Sequence, residues 1–443
     1  MPFLPSPAPT RSAAPTVQVR RLERKLLVYA GLDDLILLYP VYAVLFTDHG
    51  LSTAEISSLF VVGSLTGILL EVPSGVWADT VSRRRVLVVG PLLSAVGFAL
   101  WVTLPGYASF ALGMVLWSGG GALRSGSMEA LAYEELERLG AANRYVRLMG
   151  RAATASTTAT ALAIAAAGPS TAWGGYGLLG AASVMVCVLC SLSALALPEH
   201  RPRNSEAAWG PQPQVDGPAV PVDRAAADRA ACPSSGVDRS KEHGGESDTG
   251  ILATLRTGLD EVRASKRVRY ALFLAVLLTS IWGALEEFVP LLAGETGVAT
   301  RDVPWLVLTV WVGVSLGGLL TAPAERLPAH VLGAVLAVAA ALMAVSTLSG
   351  EPVGFVLLGL AFLVFQLTDV VGDARLQSAI TGTSRATVTS LAGLGTSVTT
   401  LLVYAVYGAA AGLLTHGQLF ALFALPYLGV AYVLARARRL HTP

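Results

Sequence analysis

Asp33, Asp34, Glu71, Arg124, Glu129, Glu286, Glu287, Asp369, Asp373 and Arg375 stand inside stretches that are otherwise almost wholly apolar. An ionisable side chain surrounded by hydrocarbon is costly unless it is paired or has a task. The chemistry open to such groups is ion pairing and proton exchange. Covalent chemistry has no comparable set of residues. All six histidines (His49, His200, His243, His330, His416 and His441) fall between or beyond the apolar stretches. No H-E-x-x-H, phosphate-cradling glycine loop or Gly-x-Ser-x-Gly is present. An enzyme is not expected, nor a metal or a cofactor. Cys187 and Cys190 form a C-x-x-C within an apolar run, and with Cys232 they make no disulfide framework. They read as small buried hydrophobes.

Depth follows from a helical rise of ~1.5 Å per residue. Asp33 lies ~10 Å into its run from one end, and Arg124 is ~10 Å from the corresponding end of another. Glu71 is at nearly the same level. A lone arginine level with two aspartates suggests an ion pair. Protonating the aspartate would break it and make a coupling step; alternatively the pair is permanent and only fixes packing. Adjacent aspartates point ~100° apart on a helix, so one of the two faces Arg124. Which one stays open.

These residues need elements to hold them, and composition names the elements. Of 443 residues, 53% are hydrophobic and only 14% charged, with a mean hydropathy of +0.60. Residues 199–269 hold 22 of the 61 charged side chains, which leaves the rest too poor in charge for a soluble fold. Runs of the ~20 apolar residues that span a bilayer recur at 26–46, 56–77, 86–104, 108–131, 152–168 and 174–197. A second set follows at 270–292, 303–323, 331–348, 353–373, 387–409 and 417–435. The expectation is an all-α polytopic membrane protein of twelve transmembrane helices in two six-helix halves, 26–199 and 269–436. Residues 200–250, rich in Pro, Gly and Ser, should form a disordered loop. Residues 251–268 carry Ile251, Leu255, Leu259 and Val262 at helical spacing, which predicts an amphipathic linker helix.

Arginines give the orientation, because cytoplasmic loops collect them. Arg20, Arg21, Arg24 and Lys25 precede the first run, Arg83, Arg84 and Arg85 follow the second, and Arg138, Arg144, Arg147 and Arg151 follow the fourth. The opposite connections carry only Arg301. Both tails, 1–25 and 437–443, are therefore expected in the cytoplasm. The halves also echo each other: Gly50-Leu-Ser-Thr-Ala-Glu-Ile56 matches Gly297-Val-Ala-Thr-Arg-Asp-Val303 in position. Internal repeats of this kind build many transporters.

Between the second and third runs stands Gly75-Val-Trp-Ala-Asp79-Thr-Val-Ser-Arg83-Arg84-Arg85. It resembles the major facilitator superfamily pattern Gly-x-x-x-Asp-Arg/Lys-x-Gly-Arg-Arg/Lys. Gly75, Asp79, Arg83 and Arg84 match, while Thr80 and Ser82 depart from it. Glu71-Val-Pro-Ser-Gly75 and Ser384-Arg385-Ala-Thr387 are similar to a bacterial branch of drug exporters. The resemblance implies a transporter of the bacterial inner membrane in which Asp79 and the arginines latch the cytoplasmic side, with Glu71 tying in. Chemistry agrees, since a carboxylate beside three arginines can form charge-assisted bonds. The helix-5 antiporter motif of such exporters is not matched, because Gly168-Pro169 and Gly174-Gly175 have the wrong spacing.

The function expected is secondary active transport by alternating access, as proton-coupled export of small hydrophobic organic compounds. A proton-coupled uptake symporter is the alternative, and a non-transporting membrane interaction protein the reading from another class. The coupling candidates are Asp33, Asp34 and Arg124. Glu129, Trp282, Glu286, Glu287 and Asp369 are candidates for substrate contact, with Glu286 and Glu287 near the outer end of helix 7. Asp369, Asp373 and Arg375 are expected to cluster at the cytoplasmic end. Protons, a small molecule and the bilayer are the expected partners of a monomer; no nucleic acid is expected.

Overall fold

The computed structural model describes residues 15–200, 262–263, 265–324, 327–380 and 385–436. The segment 201–250, nearly all of the expected linker helix, and the chain ends lie outside the described residues. Helices α1 (Pro15–Asp33) and α2 (Tyr42–Asp48) make the first pass, followed by α3 (Thr53–Thr80), α4 (Arg83–Thr103) and α5 (Tyr107–Arg124). A shorter α6 (Ser127–Arg138) leads into α7 (Tyr145–Leu195), which holds two passes in one 51-residue run. The second half comprises α8 (Lys266–Glu286), α9 (Val289–Glu295), α10 (Val303–Leu319), a single turn α11 (Thr321–Ala324), α12 (Ala329–Leu348), α13 (Gly354–Ala379), α14 (Arg385–Ala410), α15 (His416–Phe423) and α16 (Leu425–Arg436). No strand occurs among the described residues.

Eight helices among the described residues are long and apolar enough to cross a membrane. The other passes miss that measure for plain reasons. The first is broken between α1 and α2, α5 ends on a charged Arg124, α10 is only 17 residues long, and α7 counts once for two passes.

Three departures from the expected runs matter. The first helix begins at Pro15 rather than near 26, because Val19, Leu22 and Leu26 bury one face at helical spacing. The run 26–46 is interrupted over residues 34–41. Pro40 lacks an amide hydrogen and disfavours a helical Tyr39, so the chain advances by tight turns, Leu35 N donating to Leu32 O and Tyr39 N to Ile36 O. Ser183 Oγ accepts from Leu38 N at 3.1 Å and covers one freed amide. The run 270–292 breaks likewise, at Glu287 and Phe288, with Pro290 in the first turn of α9. The two halves thus share a broken leading helix, and Gly50 and Gly297 take the same left-handed φ (87° and 78°) in the matching connections. Between the arms of α7, Gly175 at φ 57° and ψ −156° turns the chain without a loop.

The largest buried apolar cluster runs through both halves, from Tyr42, Phe46 and Phe60 to Phe288, Tyr404 and Tyr407. It lies toward the face opposite the arginine-rich connections. On the arginine-rich side the buried clusters are separate: Val19, Leu22, Tyr29, Leu87 and Leu131 in the first half, and Val268, Leu376, Ile380 and Val388 in the second. Glycine permits the closest approaches between halves. A Cβ on Gly408 would stand 2.7 Å from the Ser57 Cβ, and one on Gly168 would stand 2.9 Å from the Arg301 carbonyl oxygen.

Candidate functional site

Asp33 is the last residue of α1 and Arg124 the last of α5. Arg124 Nε donates to Asp33 Oδ1 at 3.1 Å, with both side chains largely buried. Another guanidinium nitrogen donates to Ser94 Oγ at 3.1 Å. The arginine reaches across α4 because Gly90 has no side chain there; a Cβ would fall 2.7 Å from Arg124 Cγ. The Cys190 thiol approaches the same carboxylate oxygen at 3.9 Å, from the second arm of α7. Cys187 and Cys190 are free and buried. Asp34 is exposed and has no ion-pair partner among the described residues.

The breaks in the first and seventh passes place tyrosines of one half against carboxylates of the other. Tyr42 donates its hydroxyl hydrogen to Glu287, and the Tyr39 hydroxyl meets Glu286. Glu286 and Glu287 thus lie at the break of the seventh pass, half-buried, with α9 following them to Glu295. Around them stands an aromatic wall that the charge pattern did not reveal. Tyr39 packs edge-on against Trp117 (6.3 Å) and Trp311 (6.1 Å), while Phe60 meets Phe288 (5.1 Å) and Tyr404 (5.4 Å) across the junction. Two buried polar atoms here, Glu286 Oε1 and Trp311 Nε1, have no hydrogen-bond partner among the described residues. The density of Tyr and Trp in the apolar runs was the available signal.

The connection between α3 and α4 makes contacts that the expected latch did not include. The Glu199 carboxylate accepts from Arg83 N (2.8 Å), Arg84 N (3.5 Å) and Ser82 Oγ (2.5 Å), which caps the start of α4 with a negative charge. The Arg83 guanidinium pairs with Glu134 of α6, and Arg84 donates to the Leu197 carbonyl at 3.4 Å. These partners belong to the first half. The side chain of Asp79 lies outside the described residues. Gly75 has open space around its Cα, and Glu71 is exposed, its carbonyl accepting from Ser74 Oγ at 2.9 Å.

In the second half Asp369 accepts from the Thr279 hydroxyl, beside Trp282, whose ring is 6.2 Å from Phe362. Arg375 turns away to donate to the Leu327 carbonyl at 2.9 Å, and Asp373 is exposed. Asp369 and Asp373, one turn apart, share a face of α13, while Arg375 projects from another face, so the expected cluster of three does not form. Glu129, in the first turn of α6, is exposed. No group of His, Cys, Asp and Glu among the described residues is arranged to hold a metal.

The profile of the Major Facilitator Superfamily matches residues 29–412. A mutant of the nucleoside transporter NupG aligns over 95% of this chain and 99% of its own, at 14% identity and a TM-score of 0.68. A bacterial homolog of the human lysosomal transporter Spinster, solved inward-facing and unoccupied, aligns over 96% and 98% at 13% identity and 0.62. A D-xylose–proton symporter aligns over 94% and 97% at 12% identity and 0.63. No curated protein sequence matches.

Proposed function

The chain belongs to the Major Facilitator Superfamily and is a multi-pass membrane transporter, and from that premise we propose that it exports small hydrophobic organic compounds against an inward flow of protons. The observation that carries this reading is the pair of Asp33 and Arg124, held 3.1 Å apart between helices of one half. Protonation of Asp33 removes its charge and leaves Arg124 to Ser94 and solvent. That state differs in energy from the paired one by the cost of an unpaired buried cation. Coupling needs a difference of this kind between conformations.

The substrate site is the aromatic wall around Tyr39. Its rings suit a planar apolar compound, and Glu286 Oε1 with Trp311 Nε1 supply one acceptor and one donor without partners among the described residues. A basic nitrogen on the substrate would meet Glu286. The arginine-rich face is cytoplasmic on the positive-inside argument. The halves join at the opposite face and keep separate cores at the arginine-rich one, which corresponds to an inward-open state of a monomer. Export as the direction rests on the residues Glu71 to Gly75 and their likeness to the exporter branch.

The test is a panel of apolar cations and neutral aromatics in proteoliposomes with an imposed pH gradient. Proton-driven movement that opposes the gradient, lost in Asp33→Asn, supports the reading. Movement of substrate with the protons would replace export by uptake. Full activity without a gradient would remove proton coupling.

A further inference from the structure

Two hollows on the first half adjoin each other and have no place in the transport reading. One, of about 470 Å³, is lined by Arg20, Glu23, Arg24, Arg144, Arg147 and Arg151, with Leu148 at its base. Among the described lining residues Glu23 is the single acid beside five arginines. It pairs with Arg144 at 3.4 Å and Arg151 at 3.6 Å and is itself buried. Arg20, Arg24 and Arg147 have no carboxylate partner among the described residues and point to the exposed side. The hollow is therefore strongly cationic, with three guanidinium groups still available.

The second hollow, of about 590 Å³, begins at Arg151, which it shares with the first, and runs between α1 and the first arm of α7. Its walls are Val28, Leu32 and Leu35 on one side and Ala155, Ala159 and Leu162 on the other. From Arg151 to Leu162 the groove extends ~16 Å at the helical rise. That is close to half of a ~30 Å hydrocarbon core, the depth of one leaflet. Val28 (54%) and Leu162 (58%) remain exposed along it, apolar surface without a partner among the described residues. A headgroup-sized basic pocket continuous with a leaflet-deep apolar groove matches one kind of molecule.

We infer that these two hollows form one binding site for an anionic glycerophospholipid, its phosphate on Arg20, Arg24 and Arg147 and one acyl chain along the groove. Charge complementarity selects the headgroup, since a basic pocket between helices at the membrane surface favours anionic lipid. The groove distinguishes a lipid from free phosphate, which would need only the arginines.

The experiment is native mass spectrometry of the purified full chain equilibrated with phosphatidylglycerol, phosphatidylcholine or inorganic phosphate. Phosphatidylglycerol should be retained at least about tenfold better than phosphatidylcholine. Arg20→Gln, Arg24→Gln and Arg147→Gln together should remove most of that preference. Ala155→Trp, which fills the groove and leaves every charge in place, should weaken retention by a similar factor. Arg85→Gln, in another basic connection, should leave it unchanged. Circular dichroism and gel filtration check that each variant folds, and Arg147→Gln alone serves if the triple variant does not. Equal retention of phosphatidylcholine would overturn the proposal. Displacement by inorganic phosphate, or indifference to Ala155→Trp, would make this a free-anion site instead. An equal loss in Arg85→Gln would reduce it to diffuse surface charge.

Discussion

The hydroxyl of Tyr42, in the helix that resumes after the first break, donates to Glu287 at the break of the seventh pass. The bond joins two halves of the chain 245 residues apart in sequence. With the Tyr39–Glu286 contact beside it, the bond ties the face opposite the arginines among aromatic rings, Tyr42 stacking on Trp101 at 5.7 Å.

Tyr42→Phe should keep the ring packing and lose the bond. A charge-assisted hydrogen bond is worth about 1.5–3 kcal/mol, enough to move a two-state population by about 10- to 100-fold. Ser57, 2% exposed beside Gly408, reports the change. A cysteine placed there should react slowly with a polar thiol reagent in the parent and faster in Tyr42→Phe. Equal rates would show that the bond does not hold this face shut.

Gly408→Val acts on the same junction by volume. Its Cβ would lie 2.7 Å from Ser57 Cβ, so the halves cannot meet as they do here. Transport should fall at least about tenfold while the protein still folds, because overpacking costs about 1–3 kcal/mol. Normal turnover together with an unchanged melting temperature would argue against closure through this contact.

Asp33→Asn and Asp34→Asn should differ sharply. Arg124 pairs with Asp33, so the first change should abolish gradient-driven transport and leave downhill exchange. The second should do little. Losing one member of a buried pair costs about 3–5 kcal/mol, and the double change Asp33→Ala with Arg124→Ala should recover part of that stability without restoring transport. Gradient-driven rates at the parent level in Asp33→Asn would end the coupling proposal.

Glu135 of α6 provides a test of pH dependence on the arginine-rich face. Burial would raise its pKa, but hydrogen bonds from the His200 amide and imidazole and from Arg138 outweigh that and hold it below the ordinary 4.5. A depressed carboxylate stabilises the fold fully above its unfolded value. That contribution is lost as pH falls from about 4.5 through the lower folded value. Glu135→Gln should therefore lower stability by about 1 kcal/mol at neutral pH, with the difference shrinking below that window. Thermal melts across pH measure it; a difference that grows toward acid would contradict the assignment.

Much of this arrangement is legible from residue types, and the exceptions have physical reasons. Runs of apolar residues locate the passes because a bilayer demands their length. The common depth of Asp33 and Arg124 follows from helical rise alone. The choice between Asp33 and Asp34 depends on helix rotation, which packing against α4 and α7 sets. Glu286 and Glu287 read as lying near one end of helix 7 because residues 270–292 look like one unbroken run; Pro290 was the available sign of the break. Glu134 and Glu199 could not be read as partners of Arg83, since both are distant in sequence and meet it only once α6 and the end of α7 pack beside α4. Tyr39, Trp117 and Trp311 were missed because neutral rings in a hydrophobic run look like ordinary core.

The turn at Gly175 passes directly from one arm of α7 to the other, and the remaining connections on that face, 49–52, 104–106, 296–302, 349–353 and 411–415, are all short. A protease or an antibody approaching from that side therefore finds almost nothing to hold. Sealed vesicles that expose this face should resist digestion, while inverted ones should be cut. The chain's handedness in the membrane can thus be measured without any tag.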